Sequence, residues 1–305
     1  MKVRFWGVRG SIPCPGSHTV KYGGNTACIE LRFEGLSRIM ILDAGSGIRE
    51  LGGFLLAHDL KRGPLSLELF LSHTHLDHIL GFPFFIPLYL PQSTVKVYGP
   101  VTFEEKSLQN VMAGQLSYRY FPVRLEQLLS KIEYVELSEG FLDLGDGISL
   151  KTIYLNHSLL CLGYRFEREG KVFCTAYDTE PFRNLFACDK NDPSYDEAMA
   201  AEGEAAAMAA NERIENFYAG ADLLIHDTQY TQVEYESGKI GWGHSSFEQA
   251  IAAARRAGVK RMALFHHEPL RTDAQLDELA AKYCTGGAEG EPEVFFAQEG
   301  MEINI

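Results

Sequence analysis

The sequence predicts an α/β layered fold whose strand ends carry metal-ligating side chains, and two observations carry that expectation. Short apolar runs recur along the 305 residues, at 39–42, 67–71, 153–155, 172–176 and 262–265, with the length and composition of buried strands. Each run is followed within two residues by an acidic or imidazole side chain, respectively Asp43, His73, His157, Asp178 and His266. In open α/β layers ligands bind outside the carboxyl ends of the strands, so these residues can share one edge.

Taken in order, the N-terminal stretch 4–13, Arg-Phe-Trp-Gly-Val-Arg-Gly-Ser-Ile-Pro, and Tyr22-Gly23-Gly24-Asn25-Thr26 are glycine-rich loops that allow close approach of backbone to a ligand. Arg9 offers a guanidinium to a phosphate there. The run 39–42 leads to Asp43, placed to support metal ligands from behind. The run 67–71 leads into His73-Thr74-His75-Leu76-Asp77-His78. Three imidazoles and a carboxylate this close cannot all be buried unpaired, because each would cost several kcal/mol, and a dinuclear metal centre gives all of them a partner.

The apolar stretch 79–90 is too short to span a bilayer and contains Pro83 and Pro87. Its aromatics Phe82, Phe84, Phe85 and Tyr89 are expected to pack beneath the site. After Asp178 comes a helical insertion around 183–219. Positions 180–215 hold nine acidic and three basic residues, a net of −6. Ser194 with Glu197 reads as a capping box, and Ala207, Ala210, Ile214, Phe217 and Tyr218 form one stripe. This helix can serve as a solvated surface, a lid or a homodimer contact. Further on, Ser245 with Glu248 reads as a second capping box, opening a helix with the stripe Phe247, Ala250, Ile251 and Ala254. Of the pair His266-His267, strand alternation sends the second to the opposite face, where it is structural or supports the ligands from behind.

The H-x-H-x-D-H cluster resembles the signature of the metallo-β-lactamase-fold hydrolases, and the chain is similar to that superfamily almost end to end. The resemblance implies a four-layer αβ/βα sandwich, with 1–305 as a single domain, and two divalent metal ions, Zn²⁺ first and Mn²⁺ or Fe as alternatives. It implies that His73, His75 and His157 hold one metal, that Asp77, His78 and His266 hold the other, and that Asp178 bridges them. Leu223-Leu224-Ile225-His226-Asp227-Thr228 and Gly243-His244-Ser245-Ser246 resemble stretches of ribonuclease Z and related phosphodiesterases. There a non-ligand histidine pairs with an acid, which implies catalytic roles for His244, set by Asp227, and for Asp77 in orienting the hydroxide. The N-terminal glycine-rich segments resemble a bacterial branch of the same superfamily.

Charge bears on partners. With 28 basic and 41 acidic residues the chain carries −13, whereas surfaces that grip long nucleic acids are usually basic. It shows no long basic arm of the kind ribonuclease Z uses to hold tRNA. The expected function is therefore hydrolysis of a small cyclic or linear phosphodiester by metal-activated hydroxide. The alternatives are a tRNA 3′-processing nuclease like ribonuclease Z, hydrolysis of another ester, lactam or thioester, a metal-binding sensor without catalysis, and a di-iron redox protein. The six cysteines lack C-x-x-C spacing and read as reduced core residues. Charges interrupt any apolar N-terminal segment, so neither a signal peptide nor a membrane partner is expected, and a cytoplasmic location is.

Overall fold

The computed structural model describes residues 1–100, 107–288 and 290–305. Among these, β1 (Lys2–Gly7), β2 (Cys28–Arg32), β3 (Ile39–Leu42), β4 (Leu65–Phe70), β5 (Ser93–Pro100) and β6 (Lys131–Leu137) lie in one mixed sheet. A second sheet holds β7 (Gly140–Gly145), β8 (Ile148–Leu155), β9 (Cys161–Arg168), β10 (Lys171–Ala176), β11 (Leu223–Asp227), β12 (Arg261–Phe265), β13 (Thr285–Gly286) and β14 (Glu293–Phe296). Strand β15 (Glu302–Asn304) returns to pair with β1, giving the orders β15-β1-β2-β3-β4-β5-β6 and β13-β14-β12-β11-β10-β9-β8-β7. The helices are α1 (Ile48–His58), α2 (Leu76–Ile79), α3 (Leu108–Gln115), α4 (Glu197–Phe217), α5 (Gln232–Glu236), α6 (Phe247–Arg256) and α7 (Asp273–Tyr283).

Continuous apolar strands need cover on both faces. In β3, Met40 and Leu42 join the layer between the sheets while Ile39 and Ile41 join the layer under α1. In the second sheet, Leu223, Ile225, Ala263 and Phe265 face inward, and Leu224, Met262 and Leu264 pack outward with Ile214 of α4 and with Phe247, Ala250 and Ala254 of α6. Three apolar layers thus separate helices, sheet, sheet and helices, the four-layer sandwich expected. Each fully buried Leu, Ile or Phe contributes about 1.5–3 kcal/mol, so the inner layer, not any single contact, holds the sheets face to face.

Three local expectations are corrected. The N-cap of α4 is Asp196, which accepts from the Met199 amide, while Ser194 turns back to Asp192. The box opening α6 is Ser246 with Gln249, one residue later than read, because Ser245 bonds the Thr179 carbonyl instead. Phe82 and Phe85 are buried beneath α1, but Phe84 is exposed, since the chain turns in short 3₁₀ segments around Pro83 and Pro87. All six cysteines are free. Cys28, Cys161 and Cys174 are core residues as expected, whereas Cys188 is exposed. No helix among the described residues is long and apolar enough to cross a membrane.

Candidate metal centre

Strand register sets the site. Parallel pairing puts Leu42 beside Phe70, Ala176 beside His226 and Asp227 beside Phe265, so the segments leaving β3, β4, β10, β11 and β12 emerge at matching heights within their sheets. All seven residues singled out as ligands meet at this edge. The loop after β4 and the short helix α2 supply His73, His75, Asp77 and His78, and the second sheet supplies His157, Asp178 and His266. They fall into two sets of atoms that lie within 4.8 Å of one another, His73, His75, His157 and Asp178, and Asp77, His78, Asp178 and His266. In the first, the Nδ1 atom of His75 lies 3.0 Å from Nε2 of both His73 and His157, and Asp178 Oδ2 is 3.4 Å from His73 Nε2. In the second, His266 Nε2 is 3.2 Å from Asp77 Oδ2 and 3.3 Å from Asp178 Oδ1, and His78 Nε2 is 3.2 Å from Asp178 Oδ2.

A second ring of groups orients these side chains. His78 gives its Nδ1 to Asp43 at 2.8 Å, and Asp43 also accepts from the amide and hydroxyl of Ser72 at 2.7 and 2.8 Å. Nδ1 of His157 faces the Gly243 carbonyl at 3.0 Å, and the Ser11 amide donates to Asp77 Oδ2 at 2.7 Å. Such partners fix ring tautomers and leave Nε2 for a metal. The close packing restricts the neighbours too, since a Cβ on Gly10 would stand 2.4 Å from the His266 ring. Ser11, Asp43, Asp178 and His266 adopt positive φ, four of the six non-glycine residues among those described that do so. Strained backbone concentrated at one place marks a site that its surroundings over-determine.

The second catalytic expectation is also assembled. His244 Nδ1 is 2.9 Å from Asp227 Oδ2, which further accepts from the Thr179 amide at 3.2 Å. The His244 ring stacks on His266 with centroids 4.9 Å apart. His267 is buried on the other face and bonds the Ala297 carbonyl at 2.8 Å, a structural residue as strand alternation predicts. Arg9 is a correction. Its side chain is fully buried, with Nε on the Gly23 carbonyl at 2.8 Å and Nη1 on the Glu268 and Arg271 carbonyls at 3.1 and 2.7 Å, so it ties loops together beneath the surface, and its one unpartnered donor, Nη2, is buried with it. Sequence reading missed the Ser11 amide, the Gly243 carbonyl and Glu180. The first two act through backbone atoms that no residue type reveals, and Glu180 is a lone acid in an acidic stretch.

Electrostatics fit cations. Burial drives the His73, His75 and His157 rings toward the neutral form that binds metal. Burial alone would raise Asp77 and Asp178, but His78 and His266 outweigh it and hold both far below the usual carboxylate range. At His78 burial is likewise outweighed, by Asp178, Asp77 and Asp43, which push its pKa well above the usual imidazole value; without a cation a proton meets the charge these buried carboxylates require, and a metal at Nε2 would displace that proton. Even so, His78 Nε2, Asp178 Oδ1 and His266 Nδ1 are buried without hydrogen-bond partners. Imidazole nitrogens 3.0 Å apart lie near the separation of about 3.3 Å that tetrahedral Zn–N bonds of about 2.05 Å impose. The residues present fit two metal ions.

The family model described as a Beta-lactamase superfamily domain matches residues 203–267, a stretch that includes Asp227, His244 and His266. The ribonuclease Z of Lactococcus lactis subsp. lactis is 27% identical over 295 residues, covering 87% of this chain and 88% of that protein. That of Thermococcus kodakarensis is 27% identical, covering 85% and 84%. Among solved structures, the metallo-β-lactamase fold protein YhfI from Bacillus subtilis superposes with a TM-score of 0.64 at 17% identity, covering 99% of this chain and 98% of that one. The short form of human tRNase Z gives 0.62 at 19%, covering 100% and 99%. Fold and site together define a metal-dependent hydrolase with the metallo-β-lactamase fold. Within that class the chain is related, over most of its length, to proteins named ribonuclease Z.

Proposed function

We propose that this chain is a phosphodiesterase that hydrolyses a small cyclic or linear phosphodiester with two divalent cations, zinc first, at the centre described above. His73, His75 and His157 would hold one cation and Asp77, His78 and His266 the other, with Asp178 common to both sets. Residues 1–305 act as one catalytic unit. When bound, such a pair of cations lowers the pKa of water and neutralises charge on phosphoryl oxygens. The chain's own groups do the rest. Asp77, steadied by the Ser11 amide at 2.7 Å, orients the attacking water. His244 has its Nδ1 on Asp227, which leaves Nε2 as the ring atom with a proton to give to the leaving oxygen.

The observation that carries this proposal is the 2.9 Å pair of His244 and Asp227 beside the ligand His266. Loss of an alkoxide from phosphorus needs a proton, and a buried imidazole held charged by a carboxylate supplies one. A screen of metal-loaded protein against cyclic nucleotides, cyclic ribose phosphates, short RNAs and lactams tests it, with His244→Ala alongside. Turnover of lactams or thioesters in preference to every diester would refute it.

A second reading, 3′ processing of tRNA, is favoured by the 27% identity to proteins named ribonuclease Z across 87% of the chain. We place the small diester first because the chain carries −13 and because Asp192, Asp196, Glu197, Glu202, Glu204 and Glu212, at the start of α4 and along it, are exposed and would repel a polyanion. Relative kcat/KM on the two substrate classes at physiological salt decides between them.

A further inference from the structure

We infer that Glu180 is a positioning residue of this centre, whose buried carboxylate pins the segment that presents Gly243 to His157 and His244 to Asp227. It rests on the metal-centre assignment above. Glu180 lies two residues beyond Asp178 and is 4% exposed. Its Oε1 accepts from the Tyr235 hydroxyl and the Gly241 amide, both at 2.8 Å, and its Oε2 accepts from the Gly241 and Gly243 amides, both at 2.9 Å. The nearest cation, Arg183, is 4.0 Å away and half exposed, so the carboxylate is held by hydrogen bonds and not by an ion pair.

What those bonds hold is the site itself. Gly243 sits at φ +82°, and a Cβ there would stand 2.3 Å from His157 Nδ1, so its carbonyl reaches the ring only along this backbone path. The next residue is His244, bonded to Asp227. The amide of Glu180 donates to the Asn156 carbonyl at 3.0 Å, beside His157, and the Thr179 carbonyl accepts from the Ser245 hydroxyl at 2.6 Å. Asp178-Thr179-Glu180 thus connects the bridging carboxylate, the orienting partner of one metal ligand and the proposed acid through consecutive residues. Glutamine could not replace Glu180, because one arm of its amide is a donor and would face the Gly241 or Gly243 N–H.

The test is Glu180→Gln in the full chain, loaded with zinc and, separately, with cobalt. The variant should fold, lose about 10–100-fold in zinc affinity at its weaker site by chelator competition, and lose kcat by a similar factor. KM for a small diester should stay within about 3-fold. The visible cobalt bands should shift as His157 turns. If Glu180→Gln does not fold, Tyr235→Phe, which removes one donor and keeps the backbone bonds, should show the same changes at roughly 2–5-fold. A lowered melting temperature with wild-type zinc affinity, kcat and cobalt spectrum would overturn the inference, as would wild-type values in Tyr235→Phe where Glu180→Gln is unfolded. Wild-type protein that binds two zinc ions and hydrolyses no diester would instead remove the proposed function, leaving affinity and spectrum to judge Glu180.

Discussion

Replacing His244 with alanine should cost most where the leaving group is poorest. The His244 side chain is 11% exposed, and although burial opposes protonation, Asp227 at 2.9 Å raises its pKa from 6.5 to about 9. That shift corresponds to about 3 kcal/mol in favour of the imidazolium, with little discount for solvent because the ring is so covered. At neutral pH the ring therefore holds a proton ready to give. General acids contribute about 10²–10⁴-fold, and Brønsted behaviour reserves most of that for basic leaving groups. His244→Ala should lose on the order of 10²-fold or more on a diester with a nucleoside or alkyl alkoxide, and only ~10-fold on bis(p-nitrophenyl) phosphate. Asp227→Asn removes the largest of the charges that oppose burial and leaves only Asp178 and Asp77 to do so, so the alkaline limb of the kcat profile should move to lower pH. Bound cations lower both limbs, so the variant is read against wild type. The sign follows from the required form: the protonated ring is active, so activity falls as pH rises through its pKa. The same pair stabilises the metal-free fold fully below 6.5, a contribution lost as pH rises through about 9. Equal losses on both leaving groups with an unmoved limb would refute a proton-donating His244, and loss of a metal in His244→Ala would make the residue a ligand.

Elemental analysis of protein purified without chelator and re-exposed to zinc should find about two transition metals per chain, since seven ligands exceed what one tetrahedral ion takes, and His75→Ala should lower that content and abolish turnover. Asp43→Ala deprives His78 of its 2.8 Å partner and should weaken binding of one of the two ions by about 10–100-fold in chelator competition, with the other near wild type. Comparison of kcat/KM at physiological salt should favour a cyclic nucleotide or bis(p-nitrophenyl) phosphate over a tRNA precursor; efficient, site-specific trimming of tRNA 3′ ends with little activity on small diesters would reverse that order.

The candidate metal centre is legible in the sequence because the residues proposed as ligands are side chains of distinctive type at strand ends. The loop from His73 to His78 stands out unaided, and His157, Asp178 and His266 are readable because each closes an apolar run that really is a strand. Alternation was enough to separate His266 from His267. What sequence could not show was backbone. The Ser11 amide on Asp77 and the Gly243 carbonyl on His157 depend on chain path, and each carries its partner across more than sixty positions. Arg9 failed for the opposite reason. A guanidinium beside glycines suits a phosphate equally as a bundle of loop carbonyls, and only the fold shows that Gly23, Glu268 and Arg271 take its Nε and Nη1 and that the whole side chain is buried. Capping residues shifted by one or two positions because Ser194 and Ser245 each had a competing local or tertiary partner.

The two ligand sets also bear on how the molecule holds together. Each draws on both sheets, since the loop after β4 belongs to one and His157, Asp178 and His266 belong to the other. A cation in either set is therefore a cross-link between sheets that otherwise meet through apolar packing. Positive φ at Ser11, Asp43, Asp178 and His266 costs roughly 1 kcal/mol or more at each residue, a noticeable part of a domain stability of about 5–15 kcal/mol. Hydrogen bonds within the chain offset this at Ser11, whose amide holds Asp77, and at Asp43, which takes three donors. No such offset is complete at Asp178 and His266, where Oδ1 and Nδ1 are buried without hydrogen bonds. The proposed cations would relieve strain and desolvation at those two positions, so that loading would stabilise the fold. At the strand ends of both sheets, one set of ligands would both satisfy buried carboxylates and join the halves of the sandwich.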